Sequence, residues 1–258
     1  MKKWIVLFSM AVVLVGCSAT EEKKSNNADI RKEFSSSVEA PAIKTEVDQS
    51  SGLSDYIEGK AISEIKEVVS IREDGFKDEV TIEGKEFNLA IPSSLTDKKL
   101  RLKVALKNGK KFNTVIKLPK RASIDSYKNF ASQMNRNMND INDKVKTNFP
   151  LTVKRETLIA ADENNAQTWI HVLDGELVGL SLIGSEGAGD ELATIISSIS
   201  SFITIYEVDN DKVFSAQNDF SKTGEKTSVT SNGYMFTFDH NDEYLYIDII
   251  KTTKNMEI

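Results

Sequence analysis

The chain contains a single cysteine, Cys17, among 258 residues, so it forms no internal disulfide and builds no thiol-ligated zinc site. It has only two histidines, His171 and His240, which leaves few candidates for imidazole chemistry. Long apolar runs are also missing. The stretch from Trp4 to Val15 is interrupted by Ser9 and falls well short of the ~20 residues that span a bilayer as a helix. No Gly-x-Ser-x-Gly elbow and no G-x-x-x-x-G-K-[ST] phosphate loop occurs. These absences leave no specific sign of a nucleophilic serine or a nucleotide site, and the expected lipidation of the one cysteine would remove thiol catalysis as well.

What is present begins at the N-terminus. Lys2 and Lys3 precede the apolar stretch, and Leu14-Val15-Gly16-Cys17 follows, with a small residue just before the cysteine and a hydrophobe three before it. This order of cationic, apolar and small residues is that of a secretory signal. The segment resembles the signal peptide and lipobox of bacterial lipoproteins. The resemblance implies cleavage after Gly16, acyl chains on Cys17, and a protein held on the outer face of the cell membrane. Acyl chains contribute about 0.8 kcal/mol per buried methylene, so several on one cysteine hold firmly. Lipidation consumes the one thiol, and stability must then come from an ordinary apolar core.

Composition divides the rest. Residues 17–54 are rich in Ser, Asn, Glu and Lys, with Ile30, Phe34 and Ile43 as sparse large apolar residues, and read as a disordered tether. A flexible coil of that length reaches about 30–36 Å. Residues 55–121 alternate in period two: Val80 and Ile82, then Phe87, Leu89 and Ile91, then Leu100, Leu102, Val104 and Leu106. Phe112, Thr114, Ile116 and Leu118 repeat the pattern beyond Asn108-Gly109, a hairpin signal. The spacing predicts an antiparallel β-region of about four strands, with an immunoglobulin-like sandwich as one expectation.

Residues 122–258 change period. Ile124, Tyr127, Phe130, Met134, Met138, Ile141 and Val145 recur at threes and fours and predict a helix. Strands are expected over about 151–160 and 167–182, the second turning at Asp174-Gly175. A second helix is expected from Asp190, with Leu192, Ile195, Ile196, Ile199, Phe202, Ile203 and Tyr206 on its apolar face. Strands near 212–216, 228–238 and 244–251 complete a two-helix, antiparallel-sheet unit, so the fold class is α+β. Asn148-Phe149-Pro150, Thr157-Leu158 and Tyr206-Glu207-Val208-Asp209 resemble the short motifs of an uncharacterised secreted bacterial module over about 127–220. That resemblance implies an α+β layer fold and no activity.

Candidate chemistry is sparse. His171 lies between Ile170 and Val172 and reads as a strand histidine facing away from both. Asp239-His240-Asn241-Asp242-Glu243 has oxygen ligands at alternate positions, but Tyr244 and Ile250 stand where a calcium loop needs glycine and a bidentate acid, so it reads as a polar hairpin turn. Gly184-Ser185-Glu186-Gly187-Ala188-Gly189 carries Glu186, followed by Asp190 and Glu191, which repel anions. The carboxylate pair Asp209 and Asp211 is unspecific. No catalytic residue, cofactor or metal site is assigned.

Charge is the uneven feature. The chain carries a formal net charge of −6, yet residues 98–121 hold ten bases and no acid. Residues 122–258 carry 11 bases against 21 acids. Lys98, Lys99, Arg101, Lys103, Lys107, Lys110 and Lys111 form the candidate binding patch, for anionic lipid, a wall polyanion or an acidic protein. The plain alternative is a solvated strand face, partly paired with Glu64, Glu67, Glu79, Glu83 and Glu86. Location and overall acidity disfavour nucleic acid. The expected function is a membrane-anchored, non-enzymatic interaction module. A small-ligand carrier and a wall-directed hydrolase, the latter needing a pocket that joins a histidine to several carboxylates, are the alternatives.

Overall fold

The computed structural model describes residues 43–141, 148–153, 155–163, 166–185 and 189–252. Strands β1 (Ile43–Asp48), β2 (Ser54–Ala61), β3 (Ile65–Ile71), β4 (Thr81–Glu83), β5 (Glu86–Pro92), β6 (Lys98–Leu106) and β7 (Lys111–Leu118) form the first unit. They make two antiparallel sheets, ordered β1-β2-β5-β4 and β3-β6-β7. Alternation sets the inner faces. Ile57, Phe87, Leu89 and Ile91 of one sheet share a core with Ile65, Val68, Leu100, Leu102, Val104 and Ile116 of the other. Gly59 has no side chain because the Phe87 ring, its cross-strand partner, occupies that space: a Cβ there would stand 2.0 Å from the ring. Burying that ring stabilises the sandwich by about 1.5–3 kcal/mol.

The second unit contains β8 (Asp125–Ser126), α1 (Tyr127–Ile141), β9 (Thr157–Glu163), β10 (Ala166–Leu173), β11 (Glu176–Ser185), α2 (Gly189–Ile205), α3 (Asn210–Thr223), β12 (Thr227–Ser231), β13 (Tyr234–His240) and β14 (Tyr244–Lys251). One antiparallel sheet runs β12-β13-β14-β11-β10-β9, with β8 pairing β11. Leu180, Leu182, Ile247, Ile249 and Phe236 point to one face and pack with Phe130 and Met134 of α1, Ile199 and Phe202 of α2, and Val213 and Phe220 of α3. All three helices therefore cover the same face. The class is α+β, mostly antiparallel sheet.

Three expectations change. A strand already runs from Ile43, within the segment expected to be a tether up to Ser54: β1 pairs along its whole length with β2, because Ile43 and Val47 find apolar cover in the sandwich core that their sparse local sequence does not advertise. Residues 43–118 hold seven strands instead of about four. The strand expected near 212–216 is helix α3. Asp209 caps it, accepting from the N–H groups of Asp211 (3.1 Å) and Lys212 (3.2 Å). Val213, Ala216 and Phe220 form its buried side, and Gly224 closes it in the left-handed conformation at φ 64°. The continuation of α1 to Val145 lies outside the described residues, as do Glu186, Gly187 and Ala188 of the glycine-rich loop.

The segments Asn148-Phe149-Pro150 and Tyr206-Glu207-Val208-Asp209 have structural roles. Phe149 is buried in the core, and its N–H and C=O both bond the Asn135 side chain, at 2.6 and 2.9 Å. Tyr127 donates to the Pro150 carbonyl at 2.7 Å, and burial pushes its phenol up to about 12. Tyr206 donates to Asp125 at 3.1 Å at the corner between α2 and α3; burial, then Asp125, raises its pKa.

Candidate interaction surface

The β6–β7 hairpin turns through Lys107, Asn108 and Gly109. Gly109 takes φ 88°, and the Leu106 N–H reaches the Lys110 carbonyl at 2.9 Å. On β6, Leu100, Leu102, Val104 and Leu106 point inward, so Lys99, Arg101 and Lys103 must point outward. Register places Lys117 opposite Lys99, Val115 opposite Arg101, Asn113 opposite Lys103 and Lys111 opposite Ala105. The result is one exposed face carrying five bases around Val115, itself 46% exposed. None of the five has a carboxylate within 4.0 Å among the described residues.

The seven expected patch residues do not act as one group. Lys99, Arg101, Lys103 and Lys111 share the face, and Lys117 joins them. Lys107 and Lys110 sit at the hairpin tip, where Lys107 pairs with Glu64 at 2.7 Å. That bond, then the Lys107 charge, lowers the Glu64 pKa. Lys98 shares the parity of Leu100 and stands at the opposite end of β6, exposed. Of the acids expected to neutralise the patch, only Glu64 does so; Glu86 pairs with Lys60 at 2.7 Å.

A second polar cluster lies at the seam between the two units. The connector between β1 and β2 lies on the sheet face opposite the helices and joins the two units. The Gly52 N–H donates to Asp248 Oδ1 at 2.8 Å, and the Ser181 hydroxyl donates to the same oxygen. Lys226 bonds Asp48 at 3.3 Å and Ser50 at 3.1 Å. Arg121, 3% exposed, binds Asp55, 2% exposed, through Nε at 2.8 Å, and donates to the carbonyls of Ser51 and Ser54, both at 2.8 Å. Ser93 and Gln49 complete the Asp55 shell, at 3.0 and 3.1 Å. The carboxylate and guanidinium thus satisfy each other inside the protein and fix the connector's shape.

His171 lies at this seam, facing away from the buried Ile170 and Val172. Its Nδ1–H donates to the Leu53 carbonyl at 2.5 Å, leaving Nε2 buried without a partner. Burial lowers its pKa, with the Leu53 bond opposing and Arg121 reinforcing. His240 instead caps a surface turn, where Nε2–H reaches the Gly224 carbonyl at 3.0 Å. Asn241 organises that turn by accepting from the N–H groups of Glu243 and Tyr244. Among the described residues, no three imidazole or carboxylate groups gather as metal ligands, and no helix is long and apolar enough to cross a membrane.

Sequence signals for the seam were weak. Asp248 sits between Ile247 and Ile249, which marks it as facing away from the core but not as covered. Arg121 reads as the last base of a basic run. Compared with protein-family models, curated proteins and solved structures, the chain matches none of them.

Proposed function

We propose that this protein is a lipid-anchored interaction module of the outer membrane face, without enzymatic activity, that binds an anionic partner through the outer face of β3-β6-β7. The observation that carries the reading is the unneutralised array of Lys99, Arg101, Lys103, Lys111 and Lys117 on one sheet. Strand spacing of about 4.8 Å and a repeat of about 6.7 Å along each strand make β6 and β7 a flat lattice of positive charge, with Glu67 of β3, opposite Ala105, at its margin. It suits a phospholipid surface, a wall polyanion or an acidic protein. Each base near an anionic surface contributes about 1 kcal/mol, acting within a Debye length of about 8 Å at physiological salt. The lipobox-like Leu14-Val15-Gly16-Cys17 supports the anchor. An immunoglobulin-like sandwich, a scaffold common in binding modules, is supported by the strand order, first, second, fifth and fourth strands against third, sixth and seventh, which is that of the constant type.

Two measurements test this. Cys17→Ala should abolish lipid incorporation and release the protein from the membrane fraction. Lys99→Glu, Arg101→Glu and Lys103→Glu together should weaken capture by anionic vesicles or polyanions from intact cells and remove its salt sensitivity. Unchanged, salt-insensitive capture defeats the proposed binding face.

A further inference from the structure

The β-sandwich has two poles. At one, the β1–β2 connector enters the seam with the second unit. At the other, about 23 Å away along the eight residues of β2, three turns are tied into one surface. The Ala61 N–H reaches the Lys85 carbonyl at 2.8 Å, the Ile65 N–H the Gly84 carbonyl at 2.7 Å, and the Lys107 N–H the Glu64 carbonyl at 2.9 Å. Asn108 donates to Ser63 at 3.1 Å. At this pole stands Ile62, 54% exposed, an aliphatic side chain in the polar turn between β2 and β3. The same turns carry Lys85, Lys110 and Lys111, none with a carboxylate within 4.0 Å among the described residues, the ion pairs Lys60–Glu86 and Lys107–Glu64, and the exposed Glu83, so bases outnumber acids five to three.

The same pole receives the chain from the N-terminus, since Ile43 pairs with Ala61. The acidic second unit, with 11 bases against 21 acids over residues 122–258, attaches at the opposite pole, and its helices lie beyond its sheet. We infer that the pole formed by Ile62, Lys85, Lys110 and Lys111 is a peripheral membrane-contact surface for anionic phospholipid headgroups of the leaflet that carries the anchor. This rests on the lipid-anchor reading above and adds a bilayer contact distinct from the outer face of β3-β6-β7. An exposed aliphatic side chain beside three unpaired lysines is the chemistry of shallow interfacial insertion, where apolar burial and headgroup attraction add. Only 25 residues separate Cys17 from Ile43 in the sequence, so the anchored end of the chain enters the first unit at this pole. The acidic unit stands beyond the Debye length of about 8 Å, so its repulsion does not oppose the contact.

The test uses the full lipidated chain in vesicles of phosphatidylcholine with or without phosphatidylglycerol, carrying a headgroup acceptor dye. Acylated Cys17 offers no thiol, so Asn108→Cys and Thr204→Cys each give a single labelling site, at the pole and on α2. Energy transfer from Asn108→Cys should exceed that from Thr204→Cys in anionic vesicles. The excess should disappear in pure phosphatidylcholine, at high salt, and when Ile62→Ser, Lys85→Glu and Lys110→Glu are combined. Equal transfer from both sites, or transfer from Asn108→Cys indifferent to lipid charge, overturns the inference. Thiol dye reacting with the wild-type protein instead shows Cys17 unmodified and defeats the anchor reading, a distinct outcome.

Discussion

Gly52 and Gly179 meet backbone to backbone across the seam. A Cβ on Gly179 would stand 2.0 Å from the Gly52 carbonyl oxygen, and a Cβ on Gly52 would stand 2.1 Å from the Leu180 carbonyl oxygen. No side chain fits at either position, so the two units are joined by contact too close for any residue but glycine. Gly179→Ala and Gly52→Ala are each expected to destabilise the protein by about 1–3 kcal/mol, the cost of overpacking a filled site. Thermal unfolding with limited proteolysis around residues 119–124 reads this out. Unchanged melting and unchanged cleavage for both variants would contradict so close a seam.

The Arg121–Asp55 pair is buried and fully bonded, so removing one partner strands a charge. Arg121→Met or Asp55→Asn alone is expected to cost about 3–5 kcal/mol in chemical denaturation. The double variant should lose clearly less than the two single losses combined. Additive losses would show that the groups do not act as a pair.

His171 makes the seam sensitive to acid. Burial lowers its pKa from the ordinary 6.5, so the unfolded chain binds a proton before the folded protein does. Stability therefore holds above pH 6.5 and falls as pH drops from there through the lowered folded value. His171→Asn, whose amide can donate to Leu53, should remove that slope. Denaturation midpoints across the acidic range would show whether it does.

Asp248 works in the opposite direction. Burial raises its pKa above the ordinary 3.8, while the Ser181 hydroxyl and Gly52 N–H oppose the shift. Here the folded protein holds the proton longer, so this group's contribution falls as pH rises from 3.8 to the raised value and stays reduced above it. Asp248→Asn keeps an acceptor for Gly52 without the ionisation cost. It is expected to match or exceed the wild type at neutral pH, and its advantage should vanish in strong acid. Marked destabilisation at neutral pH would show that the charge itself holds the connector.

Asp209→Ala is expected to cost about 1 kcal/mol through the lost cap of α3, and Asp209→Ser to cost less. Helical content by circular dichroism, followed with urea midpoints, distinguishes a cap from a residue without structural weight.

Much of the architecture is legible because it is local. Leu100 to Leu106 alternate strictly, so the outward course of Lys99, Arg101 and Lys103 follows from the pleat alone. Asn232-Gly233 and Asp174-Gly175 take positive φ at both residues, as tight hairpin turns demand. Phe130, Met134 and Met138 recur at fours and find the core. Helix α3 is harder: Lys212-Val213-Phe214-Ser215-Ala216 has no strong period of its own, and only Phe220 and the caps, read together, separate helix from strand.

The sequence by itself determines the strand faces, the turns, two of the three helices among the described residues and the concentration of bases in residues 98–121. Those properties depend on neighbours within one or two turns of chain. The tertiary structure alone decides what covers Asp248 and Gly179, because the covering segment is distant: Gly52 bonds a residue 196 positions away. A polar residue in an alternating strand signals only that it faces away from the apolar core. Whether that side meets water or another piece of protein depends on long-range packing, and here it meets the connector that fixes one unit on the other.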